Sequence, residues 1–76
     1  MTKLLPAKVR DLMKVLRKLG FYEHCRVGSH AQFKNINGKR ITIPIHAGKD
    51  IPPGTLKAIL KDAEISNEQF QKLLHE

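Results

Sequence analysis

One cysteine, no tryptophan and four other aromatic residues are all that 76 positions hold of these types. A lone Cys25 forms no intramolecular disulfide, which excludes the stapled framework of small secreted domains and points to a reducing compartment. Long apolar runs are also missing. The opening "MTKLLPAKVRD" is broken by charges, so neither a signal peptide nor a membrane span is expected, and the reading is cytoplasmic. No segment backs a basic face with bulky exposed aromatics, which argues against a membrane surface as partner. Repeats, low-complexity tracts and linkers are absent. A single domain, 1–76, is therefore expected, burying about 60–65% of its unfolded surface. That is too little to enclose a large cofactor, and no cofactor is expected.

Acidic residues are the next scarcity. Fourteen Lys and Arg stand against seven Asp and Glu, a net charge of +7. The imbalance is uneven. Residues 1–49 hold 11 cations against Asp11 and Glu23, whereas residues 50–76 hold Lys57, Lys61 and Lys72 against five acids. A basic front with a mildly acidic tail is the footprint of a polyanion partner, and nucleic acid fits it better than membrane.

Hydrophobic spacing then sets the elements. Val9, Leu12, Met13, Leu16 and Leu19 form one helical stripe within residues 7–19, with Pro6 at its start and Gly20 as C-terminal cap. Arg10, Lys14, Arg17 and Lys18 line the outward face. From Phe21 to Ile45 the pattern has strand length, with breaks at Gly28-Ser29 and Asn37-Gly38. Parity decides the second hairpin. A two-residue turn at Asn37-Gly38 would pair Phe33 with Thr42 and scatter the apolar residues. A three-residue loop, 36–38, with Gly38 left-handed pairs Phe33 with Ile41 and Ala31 with Ile43, giving one apolar face. His30, Gln32 and Lys34 then share the open face with Arg40, Thr42 and Pro44, and His46 follows on the same side. "IPPGTLKAILKDA" places Leu56, Ile59, Leu60 and Ala63 on a second helix. "SNEQ", 66–69, is a capping box opening a short third helix. The expected fold is α+β, α-β-β-β-α plus a short C-terminal helix, with helices on one face of an antiparallel sheet.

Chemistry narrows to few residues. Four histidines and one cysteine show no metal-ligand spacing, so no metal site is expected. His24 and His75 lack companions. His30, just past Gly28-Ser29, is open to three readings: a surface accident, a hydrogen-bonding residue of the sheet, or a catalytic base.

Gly28-Ser29-His30, Phe33, Pro44-x-His46-x-Gly48-Lys49 and Gly54-Thr55-Leu56-x-x-Ile59-Leu60-Lys61 together closely resemble the HicA toxin family, from Gly20 to about Phe70. The resemblance implies a fold like a double-stranded-RNA-binding domain. It also implies an endoribonuclease that cuts mRNA (an mRNA interferase) with the histidine of its Gly-Ser-His motif, here His30, and is neutralised by a HicB antitoxin. Glu64 departs from the pattern, standing where a glycine commonly follows the second helix. RNA supplies its own nucleophile, the 2′-hydroxyl, so a base suffices without metal, and a free imidazole titrates near pH ~6.5, suited to that work. Ser29 is expected to orient the sugar or ring, and Gly28 and Gly48 to shape the motif backbone; His46 is open to two readings, the leaving-group acid or a loop histidine that packs against Pro44 or holds the turn. Lys34 and Arg40 are expected beside His30 to stabilise phosphorane charge. With Arg10, Lys14, Arg17, Arg26, Lys39 and Lys49 they make up the expected RNA-binding set. The rival reading is a non-catalytic RNA-binding module of the same fold, which would not need His30.

Overall fold

A computed structural model describes residues 5–46 and 48–76. The first helix, α1 (Val9–Lys18), begins two residues later than its apolar spacing predicts. Ala7 is the reason: it exchanges two backbone hydrogen bonds with Ile51 (3.1 and 2.7 Å), which takes its N–H and C=O out of any helix. Leu12, Leu16 and also Val15, outside the expected stripe, are fully buried. The helix closes as a Schellman motif, with Gly20 N–H bonded to the Arg17 carbonyl and Phe21 N–H to that of Leu16.

Three strands follow: β1 (Tyr22–Val27), β2 (His30–Lys34) and β3 (Arg40–Pro44), antiparallel in the order β1-β2-β3. The β2–β3 register pairs Phe33 with Ile41 and Ala31 with Ile43, as parity predicts. The loop explains it. Asn35 N–H donates to the Lys39 carbonyl (3.0 Å), while the Asn35 side-chain oxygen accepts from the Asn37 and Lys39 N–H groups. Gly38, at φ +85°, takes the left-handed step that ends a three-residue loop. Between β1 and β2 the register slips once. A bulge at His24 puts Glu23 opposite Phe33 and Cys25 opposite Gln32, breaking simple alternation along β1.

The second helix, α2 (Pro53–Asp62), has proline in its first turn, where no N–H is missed, and buries Leu56, Ile59 and Leu60. The third, α3 (Asn67–Leu74), opens with the predicted box: Gln69 N–H donates to Ser66 Oγ (3.1 Å), and Ser66 N–H to Gln69 Oε1 (2.9 Å). Phe70 enters the core from α3, and the Lys18 ammonium donates to the Leu73 carbonyl (2.7 Å) at its far end. All three helices contribute to one core with Ala31, Phe33, Ile41 and Ile43. The result is an α+β fold, α-β-β-β-α-α, consistent with the double-stranded-RNA-binding-domain type. The opposite face of the sheet stays open.

Strain is stored at the end of α2. Glu64 N–H bonds the Lys61 carbonyl and Ile65 N–H that of Leu60, a second Schellman motif, but here the left-handed residue is Glu64 at φ +61°. Its carboxylate reaches Lys39 only at 3.9 Å and is largely exposed, a pairing worth little. Glu64→Gly should therefore raise stability by about 0.5–1 kcal/mol, read as a higher urea midpoint at unchanged slope.

Candidate active site and cationic cleft

The open face is built from three cross-strand rows. Val27, His30 and Pro44 form one end; Cys25, Gln32 and Thr42 the middle; Tyr22, Lys34 and Arg40 the other end. His30 is exposed in the first residue of β2, directly after the tight Gly28-Ser29 turn that joins it to Val27. Gly28 sits at φ +58° in the first loop position, where a two-residue hairpin wants glycine. The turn is anchored from β3 as well, because the Ile45 N–H donates to the Ser29 carbonyl. Ile45 packs against the core, and His46, exposed and two residues beyond the end of β3, lines a cleft beside the start of α1. His30 and Ser29 thus belong to the turn, and His46 follows the residue that is hydrogen-bonded to it.

Lys34 and Arg40 do not. They pair with each other at the far end of β2, about 13 Å from His30 at ~3.3 Å per residue. The expectation that they flank the imidazole is corrected by the register: both share its face, but four residues along the strand. Arg26 is opposite Ala31, so it lies on the helix side of the sheet rather than the His30 side, and is ion-paired to Glu23 at 2.9 Å. Within the basic row of α1, Lys14 turns toward the Leu74 carbonyl (3.4 Å), while Arg17 is exposed. Lys39 flanks the β2–β3 loop near Glu64.

A different cluster appears where no single sequence motif announced it. An open cleft of about 490 Å³ lies between the start of α1 and the β3–α2 loop, lined by Lys8, Val9, Arg10, Ile45, His46, Gly48, Lys49 and Asp50. Three cations and a histidine face one carboxylate. Arg10, Lys49, His46 and Gly48 were each legible as motif or surface residues, whereas Lys8 was not. Its only sequence signal was its charge, in the first turn of the expected helix and two residues before Arg10.

Taken together, this is a small domain of the double-stranded-RNA-binding type with a histidine at a pinned hairpin turn and a cationic cleft beside it. A family model described as the HicA toxin of bacterial toxin–antitoxin systems matches residues 9–65, covering everything from α1 to the end of α2. The chain belongs to the HicA toxin family, the toxin half of a toxin–antitoxin pair, and its partner is an antitoxin. No curated protein matches the chain significantly. Among the described residues, no helix is long and apolar enough to cross a membrane.

The turn carries a direct test. A Cβ on Gly28 meets no atom within 4 Å, so any penalty for Gly28→Ala comes from the backbone conformation alone. The variant should lose roughly 1–2 kcal/mol in chemical denaturation, with the nearest amide shifts changing at Val27 to His30.

Proposed function

We propose that this toxin is an endoribonuclease that cuts mRNA with His30 as general base, and that a HicB-like antitoxin silences it by covering the open sheet face. The observation that carries the reading is the exposed His30 directly after the Gly28-Ser29 turn, to which the backbone just before His46 is hydrogen-bonded. His30 removes the proton from a ribose 2′-hydroxyl. The 2′-oxygen attacks the adjacent phosphorus, the bond to the 5′-oxygen breaks, and that oxygen takes a proton from His46. A 2′,3′-cyclic phosphate and a free 5′-hydroxyl result. No metal is needed, because the nucleophile belongs to the substrate. Ser29 orients the ribose or the ring from the preceding position.

Substituting His30→Ala removes an exposed side chain from a strand whose register is held by its neighbours, so the fold should survive. Cleavage should fall about 10²–10⁴-fold, with RNA affinity nearly unchanged. Cleavage by the folded variant at the wild-type rate would overturn His30 as the base, whereas a wild type that binds RNA without cutting it would leave only an RNA-binding module.

The antitoxin surface follows from the same rows. Tyr22 and Val27, both more than half exposed, share the His30 face with Lys34 and Arg40. Apolar anchors ringed by cations suit an acidic partner that also buries hydrophobic contacts. Antitoxin binding should slow hydrogen exchange across β1–β3 and the Gly28-Ser29 turn. Protection confined to α3 would place the antitoxin elsewhere.

A further inference from the structure

We propose that the cleft framed by Lys8, Arg10 and Lys49 is a phosphate subsite for single-stranded RNA, holding the phosphate one nucleotide to the 3′ side of the bond that is cut. The inference rests on the nuclease reading and adds the direction and anchor of the substrate strand.

Three observations lead to it. The cations nearest in sequence pattern, Lys34 and Arg40, are about 13 Å from His30. The strand ends around the histidine contribute Val27 and Pro44 instead, neither of which attracts a phosphate. Charge for the substrate must therefore come from the other side, and the cleft supplies three cations against Asp50 alone. No ion pair among the described residues neutralises them, since the two present are Arg26–Glu23 and Lys39–Glu64.

The cleft is also tied rigidly to the reacting turn. The Ile45-to-Ser29 hydrogen bond joins its inner wall to the turn before His30, and the paired Ala7–Ile51 bonds clamp its two sides together. His46 follows Ile45, which is bonded to the turn before His30, and itself lines the cleft with the three cations. With His30 at the 2′-hydroxyl and His46 at the departing 5′-oxygen, the strand beyond that oxygen runs into the cleft. Its next phosphate meets Arg10, whose planar fork matches two phosphate oxygens, and the point charges of Lys8 and Lys49. That phosphate undergoes no change in charge during cleavage, so the cleft contributes to binding rather than to the chemical step.

The test uses the full chain. First, the cut site in a single-stranded RNA is mapped, and the phosphate one nucleotide to its 3′ side is replaced by an uncharged methylphosphonate. For the wild type, KM should rise at least roughly tenfold, the scale of one lost charge-assisted hydrogen bond, with kcat unchanged. Arg10→Ala/Lys49→Ala should show the raised KM on ordinary RNA and no further penalty from the methylphosphonate. On an uncleavable 2′-O-methyl RNA, the same double variant should flatten the log–log salt slope by about 0.7, the value for one single-strand phosphate contact. Lys57→Ala, on the exposed face of α2, should match the wild type in every measurement. An unchanged slope, or a methylphosphonate penalty equal in wild type and double variant, overturns the subsite. A wild type that does not cut RNA overturns the nuclease reading instead, cleavage that survives His30→Ala overturns only the assignment of its base, and the binding slope still decides the subsite by itself.

Discussion

Register in the second hairpin is the constraint on which the other features depend. Side chains alternate along a strand, so a slip of one residue would carry Ala31 and Phe33 out of the core and turn His30 and Gln32 into it. Asn35 and Gly38 prevent the slip. The Asn35 amide oxygen accepts two backbone N–H groups across the loop, and Gly38 supplies the left-handed step that adds its third residue. Four fully buried side chains then fall on one face, against α1, α2 and α3. The other face is left bare, and a face without helices is what leaves His30 exposed on a strand whose register is fixed.

Charge in this protein is divided between architecture and surface. Lys18 and Lys14 look solvated on the sequence, but their ammonium groups reach the last carbonyls of α3, where a cation also opposes the helix dipole. α3 lies beyond the residues that match the family. Its docking on α1 is thus held by two lysines of the basic row together with Phe70. Arg26 is similarly committed to Glu23 along the edge of β1. Two groups of uncommitted cations lie at opposite ends of the sheet, Lys34 with Arg40 and the cleft trio. Only the second adjoins the Gly28-Ser29 turn.

Two backbone bridges explain why that cleft exists at all. Ala7 is drawn out of α1 to pair with Ile51, and Ile45 continues the β3 ladder onto Ser29. Both involve residues with little side-chain chemistry of their own. Their effect is to bring the start of the chain's first helix against the loop that leads into its second, and to fasten that loop to the hairpin that carries His30. Backbone hydrogen bonding thereby converts three separated stretches of sequence into one surface.

The amino-acid sequence by itself determined the element order, the β2–β3 register and the capping box at Ser66. These depend on local patterns, namely alternation, turn chemistry and cap spacing, which act over a few residues and leave a mark in the string. It likewise marked His30, Ser29, His46 and Gly28 as residues that belong together. Tertiary structure decided which cations stand near them. The late start of α1, the bulge at His24, the distance of Lys34 and Arg40 from the histidine, and the entry of Lys8 into a cleft arise from hydrogen bonds between residues far apart in the chain. A sequence pattern records which face a side chain takes, but not how far along that face its neighbours lie or which loop is folded against them. Those are set by pairing across strands and by packing of whole elements, and they carry no local signature.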